Sequence, residues 1–144
     1  MADCIFCRIA RKEIPSVAVH EDGELIAILD IAPIRPAHTV ILPKAHYATF
    51  EVLPSPLAAS ILGLGQQLAR RMKELYRVER VAFFFTGTDV AHAHAHVVPL
   101  HEKMDVTSAR YIASKGEISW SSEHLRTNAD TLKRVRDELA FRAT

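Results

Sequence analysis

Residues 92–98 read His-Ala-His-Ala-His-Val-Val, and this stretch decides the reading of the chain. Strict alternation of one residue type with small apolar ones fits a β-strand, whose successive side chains point to opposite faces. His92, His94 and His96 then share one face, with about 6.6–7 Å between neighbours along the strand. Ala91, Ala93 and Ala95 share the other face, where small side chains let a helix or second strand approach closely. Three imidazoles on one face cost desolvation unless they have a task. Three readings follow: an exposed polar face, a metal site built from His at i and i+2, or phosphate chemistry. In the last, a neutral imidazole attacks phosphorus while its neighbours donate hydrogen bonds to phosphate oxygens.

Working outward, Val81-Ala-Phe-Phe-Phe85 reads as a buried strand, Gly87 punctuates it, and the strand from Val90 to Val98 runs until Pro99. Ser55 is a candidate cap and Pro56 suits a first helical turn. Leu57, Ile61, Leu64, Leu68, Met72 and Leu75 then recur in steps of three and four, one apolar helical stripe to pack on a sheet. Nearer the N-terminus, residues 16–21 and 24–31 flank Asp22-Gly23 and read as a hairpin. Thr39–Pro43 is a further strand. A last helix is predicted from Ser121 or Ser122, with Leu125, Leu132, Val135 and Leu139 on its apolar side. The sum is α+β: an antiparallel sheet of about five strands, a long helix and a C-terminal helix.

The 144 residues fit one domain, residues 1–144. Lys and Arg number 18 against 17 Asp and Glu, which argues against a nucleic-acid-coating or membrane-surface protein. A small anionic ligand needs only local donors and stays open. No apolar run is long enough to span a bilayer. The first residues, Met-Ala-Asp-Cys-Ile-Phe-Cys-Arg, lack the pattern of a signal peptide. The expected location is cytoplasmic, so a structural disulfide between Cys4 and Cys7 is not expected. The Cys4-x-x-Cys7 spacing is half a zinc site. Its alternatives are two buried reduced thiols or a redox pair, and the last lacks a preceding strand.

The His-Ala-His-Ala-His-Val-Val run resembles the His-φ-His-φ-His-φ-φ signature of the histidine-triad (HIT) family, where φ is apolar. Cys4-Ile-Phe-Cys-Arg-Ile9, Glu13-Ile-Pro-Ser16, Glu21-Asp22, Leu29-Asp30-Ile31 and His38-Thr-Val-Ile-Leu-Pro-Lys44 with His46 resemble its N-terminal half, in order. The similarity covers roughly residues 4–100 and looks most like the bacterial branch near the nucleoside phosphoramidate hydrolases. Residues 101–144 form a C-terminal extension with no recognisable chemical motif.

The resemblance implies a hydrolase or nucleotidyl transferase acting at the α-phosphate of a purine nucleotide through a covalent nucleotidyl-histidine. His94 matches the nucleophile. His96 and His38 match the residues around the phosphate, and Asp30 the acid that accepts from the ribose hydroxyls. Ile5, Phe6, Ile9, Ile28 and Ile31 match the walls of the base pocket, with plain core the competing reading. Gly87, Thr88 and Asp89 fall where the family has Gly-Gln-Ser or Gly-Gln-Thr. Asp89 puts an anion near the expected phosphate, the preceding loop looks shortened, and Leu100-His101 replaces a frequent Arg after Pro99. These departures motivate an alternative, a nucleotide-sensing module with little turnover. Some bacterial relatives complete the Cys-x-x-Cys site with the positions of His46 and His92, which implies structural zinc on Cys4, Cys7, His46 and His92. A purely metal-binding structural protein is a third reading, but one Cys-x-x-Cys pair cannot also occupy His94 and His96. A homodimer is implied, with the 54–77 helix and the strand from Val81 as contact elements.

Overall fold

The computed structural model describes residues 4–87, 89–106 and 121–144. Helix α1 spans Ile5–Ala10, and strands β1 (Ala18–Glu21), β2 (Leu25–Leu29) and β3 (Thr39–Pro43) follow. Helix α2 spans Ser55–Tyr76, strands β4 and β5 span Arg80–Thr86 and His94–Leu100, and helix α3 spans Ala129–Leu139. All strand pairs are antiparallel, in the order β1-β2-β3-β5-β4. The α+β sheet-and-helix reading holds.

The β1–β2 turn is built by the Asp22 carboxylate. Its Oδ1 accepts from the Glu24 and Leu25 amides at 2.8 and 2.7 Å, and among the described residues no glycine has positive φ. The α2 stripe is buried as its period requires: Leu57, Ile61, Leu64, Leu68 and Met72 lie in the main core. They meet Leu25, Ala27, Leu29, Ile41, Ala95 and Val97 from one sheet face, with Leu132, Val135 and Leu139 of α3. Ile26, Ile28, Val40 and Leu42 point to the opposite face, where α1 covers them with Ile9 and Phe6. Ala95 and Val97 lie in the α2-side core, so His94 and His96, which alternate with them on β5, are directed to the α1 side.

Four boundaries differ from the sequence reading in ways the hydrogen bonding explains. Pro54, not Ser55, occupies the cap position of α2, and Ser55 begins the helix. Strand β5 begins at His94, not Val90. The Ala93 amide donates to Tyr47 O at 2.6 Å and the His92 amide to Val90 O, so residues 90–93 bond outside the ladder. The strand also runs through Pro99, which pairs with Val81; β3 reaches only Val97, so Pro99 needs no amide on that side. Finally, α3 begins at Ala129 behind Asn128, whose side chain accepts from the Thr131 amide at 2.8 Å. Glu123–Leu125 is a separate 3-10 turn, so Leu125 is not on α3. The Thr127 amide instead straps this segment to Ile31 O at 2.8 Å.

Candidate active site and metal centre

The register places His96 opposite Val40 on β3 and Phe84 on β4, and His94 opposite Thr86. His38 immediately precedes β3 and Asp30 follows β2, so both reach the strand ends beside His96. The His94 and His96 ring centres are 5.0 Å apart, and those of His38 and His96 5.1 Å. His38, His94, His96 and Asp30 therefore form one group.

Hydrogen bonds assign each ring nitrogen a role. The Ile34 amide donates to His38 Nδ1 at 3.1 Å, so the His38 proton sits on Nε2. That nitrogen lies 2.8 Å from His96 Nδ1 and 3.7 Å from Asp30 Oδ2. His96 thus accepts at Nδ1 and carries its proton on Nε2, which is 3.3 Å from Thr86 Oγ1. His94 Nδ1 is 2.6 Å from the His92 carbonyl oxygen. A carbonyl only accepts, so Nδ1 bears the proton and Nε2 keeps a free lone pair, the form an attacking imidazole needs. Burial pushes the His96 pKa down to about 3, with His38 and His94 adding repulsion. Burial likewise lowers that of His38, against the opposing pull of Asp30. The pair stays neutral at physiological pH.

The first histidine of the run does something else. His92 donates from Nε2 to Pro43 O at 2.9 Å, which turns its Nδ1 lone pair toward Cys4 Sγ at 3.4 Å and Cys7 Sγ at 3.6 Å. His46 Nδ1 is 3.3 Å from Cys7 Sγ, and the four donor atoms lie within 4.8 Å of one another. Zn–N and Zn–S bonds of usual length at a tetrahedral ion imply N···S edges of about 3.5 Å. The observed 3.3–3.6 Å edges fit such an ion. A ligating imidazole with its second N–H on a carbonyl is the usual outer-shell arrangement. The expectation that the three histidines share one strand face thus needs correction: His92 precedes β5 and belongs to the cysteine cluster.

Ile9 and Ile28 are buried in the α1-side core; Ile5 and Ile31 are 45% and 50% exposed. The Phe6 ring stands edge-on to His94 with centres 4.9 Å apart. Asp30 Oδ1 accepts from the Ala32 amide at 2.8 Å, which fixes the carboxylate at the strand end. Gly87 and Asp89 are exposed beyond β4, and Thr88 lies outside the described residues.

Two neighbours escaped the sequence reading. Phe84 stacks on His96, 5.1 Å between centres and 17° between planes, and Thr86 faces His96 Nε2. Both follow from period two on β4 once its register against β5 is known. A cavity of about 310 Å³ backs onto Asp30 and His38 from the α3 side, lined also by Ile34, Arg35, Arg126 and Thr127. His94 and His96 do not line it, so the imidazole geometry, not this cavity, locates the chemistry.

A family profile for the HIT domain matches residues 11–103. The chain is 33% identical over 103 residues to the adenosine 5'-monophosphoramidase of Saccharomyces cerevisiae, covering 71% of this chain and 65% of that protein. It is 26% identical over 142 residues to an adenylylsulfatase of Arabidopsis thaliana, covering 95% of this chain and 66% of that one. A crystal structure of a zinc-bound histidine-triad protein from Mycobacterium smegmatis superposes with a TM-score of 0.73 at 24% identity, covering 96% of this chain and 91% of that one.

Proposed function

The chain belongs to the HIT domain family, and on that premise we propose that it hydrolyses or transfers a purine nucleotide derivative through a covalent intermediate on His94. The observation that carries this is the 2.6 Å contact between His94 Nδ1 and His92 O, which leaves Nε2 as the nucleophile. Its lone pair forms the N–P bond at the α-phosphorus, and the bond from phosphorus to the leaving group breaks with its electron pair. The positive charge left on the His94 ring rests against the His92 carbonyl. His96 Nε2–H and Thr86 Oγ1 donate to phosphate or leaving-group oxygen. Water then forms the O–P bond, the P–N bond breaks, and the pair returns to Nε2. The proton lost by water balances the one taken up by the leaving group. Asp30 is assigned to the ribose hydroxyls, and Ile5, Phe6, Ile9, Ile28 and Ile31 to the base side. The monophosphoramidase and adenylylsulfatase relatives support cleavage of an adenylyl derivative.

Cys4, Cys7, His46 and His92 are assigned to structural zinc, the ion named for the Mycobacterium smegmatis protein. Zinc held there would have these four protein donors, and the chemistry it would supply is a crosslink, not activation. The free thiolates it requires suit a reducing compartment such as the cytoplasm. The dimer is assigned to α2 and β4. β4 is an edge strand, Phe50 lies against its Phe85 and is 59% exposed, and Leu62 on α2 is 48% exposed. A sizing column at the monomer mass would refute this.

A second reading, binding without turnover, is favoured by the exposed anion of Asp89, which stands where the family resemblance expects a hydroxyl residue near the phosphate. One experiment separates the two. Wild type and His94→Ala are incubated with an adenosine phosphoramidate, a guanosine phosphoramidate, a diadenosine polyphosphate and a nucleotide sugar, and nucleoside monophosphate is followed. Release by wild type alone supports the enzyme and names the substrate class. Binding with no release from any compound supports the sensing module.

A further inference from the structure

The two ends of His92 reach both centres. Its imidazole Nδ1 faces Cys4 and Cys7, while its main-chain carbonyl holds the Nδ1 proton of His94. Residues 90–93 precede the first ladder pair of β5, which is Thr86 with His94. The sheet ladder does not hold the His92 peptide. Its anchors are its own amide on Val90 O at 2.8 Å, within the same loop, the contacts of its side chain, and the neighbouring Ala93 amide on Tyr47 O. The cysteine cluster also sets α1: Cys4 occupies its cap position, Cys7 lies within it, and Phe6 between them meets the rings of both His92 and His94, at 5.8 and 4.9 Å.

We propose that a divalent metal on Cys4, Cys7, His46 and His92 orients the nucleophile, with His92 as the positioning residue that transmits it. The metal fixes the His92 ring, and through it the carbonyl that selects the Nδ1–H form of His94. It also seats α1, so that Phe6 bounds the His94 ring from the side. A metal that only staples the N-terminus would change stability and leave the His94 tautomer alone. This proposal rests on the reading of His94 as nucleophile, but its central test does not require turnover.

The test uses full-length protein labelled with ¹⁵N-histidine. Long-range ¹H–¹⁵N spectra are recorded at alkaline pH, where imidazoles are neutral, and His94→Gln assigns the His94 signals. Loading is followed by the thiolate absorption of cobalt. Metal-loaded protein is expected to show His94 wholly as the Nδ1–H form. Chelated protein and the Cys4→Ser/Cys7→Ser variant are expected to show it averaging between tautomers. Single-turnover nucleotidylation, where a substrate is known, then falls by tens to about a hundredfold, the scale of a small misplacement of a reacting group. Zinc restores the chelated wild type and not the variant. If stripping unfolds the chain, zinc is exchanged for the larger cadmium in folded protein. The His94 Nδ1 resonance should then move while those of His38 and His96 stay. A His94 tautomer unchanged by verified metal loss, a resonance unmoved by cadmium, or a protein that takes up no metal overturns the proposal. Absence of turnover in loaded protein with the tautomer coupling intact would instead overturn the enzyme reading alone.

Discussion

Replacing His38 by Ala tests the proton arrangement at its source. His38 is 1% exposed and makes two hydrogen bonds with opposite polarity. It accepts from the Ile34 amide at 3.1 Å and donates to His96 Nδ1 at 2.8 Å. The substitution orphans a buried donor and a buried acceptor together. Each orphan costs about 1–3 kcal/mol, so the sum is about 2–6 kcal/mol. The vacated space has polar walls, and water entering it recovers part of that cost. The expected loss is therefore about 2–4 kcal/mol, read as a lower urea midpoint at unchanged m-value. The catalytic loss is separate. His96 no longer has a donor at Nδ1, so its Nε2 proton is free to move to the wrong nitrogen, and the donor beside the phosphate goes with it. Proton placement of this kind carries about 10²–10⁴ in rate. A fall in kcat of about a hundredfold or more is expected in a variant still folded at the assay temperature. If unfolding free energy stays within about 0.5 kcal/mol of wild type and kcat within a few-fold, the His38–His96 arrangement described here is wrong.

Acid should destabilise the fold through the same pair. The folded His96 pKa is held down to about 3, against about 6.5 in the unfolded chain. The unfolded state takes the proton first, so stability is full above about pH 6.5 and falls by about 1.4 kcal/mol per pH unit below it. Urea unfolding at descending pH should show this slope, and His96→Asn should flatten it; an equal slope in both removes the cause. Asp105 is 1% exposed, accepts both Arg35 Nε contacts at 3.0 Å and takes the His101 and Glu102 amides. Asp105→Ala leaves Arg35 without its buried partner and should cost about 3–5 kcal/mol by chemical denaturation; a change below about 1 kcal/mol would show the pair to be dispensable. A Cβ on Gly65 would meet the Phe83 ring at 2.5 Å, whereas one on Gly63 meets nothing within 4 Å. Gly63→Ala should gain up to about 1 kcal/mol of helix stability, while Gly65→Ala should lose about 1–2 kcal/mol as overpacking outweighs that gain. Thermal melts showing equal shifts of the same sign would contradict the close α2–β4 packing.

What was legible in the sequence was what local period determines. The six apolar positions from Leu57 to Leu75 draw one helix face whatever surrounds them, and the Asp22-Gly23 hairpin needs only its own neighbours. The misread places depend on partners far along the chain. Alternation from His92 to His96 is equally regular inside and outside a strand; the Ala93 amide on Tyr47 O decides where β5 begins. Leu125 lies seven residues before Leu132 and so reads as helical, yet the Thr127 amide is drawn to Ile31 O and Asn128 starts the helix afresh. The Arg35–Asp105 pair spans 70 residues and has no local signal at all. Phe84 and Thr86 sit in an intermediate position. Their period on β4 is visible, but which of its faces meets the histidines requires the register.

The division of labour within the run rests on what each ring does with its second nitrogen. His92 gives its Nε2 proton to Pro43 O, and its Nδ1 is free for a metal. His94 gives its Nδ1 proton to His92 O, and its Nε2 is free to attack. His96 receives His38 at Nδ1, and its Nε2 is left as a donor toward Thr86. One residue type repeated at a spacing of two thus yields a ligand, a nucleophile and a donor, because three different groups claim the opposite nitrogen. The alanines between them keep this assignment fixed. Ala93 is 2% exposed and Ala95 is fully buried in the α2-side core, so a larger side chain at either has no free space and would shift the backbone that carries the rings. The alternating small residues are therefore as much a part of the site as the histidines they separate.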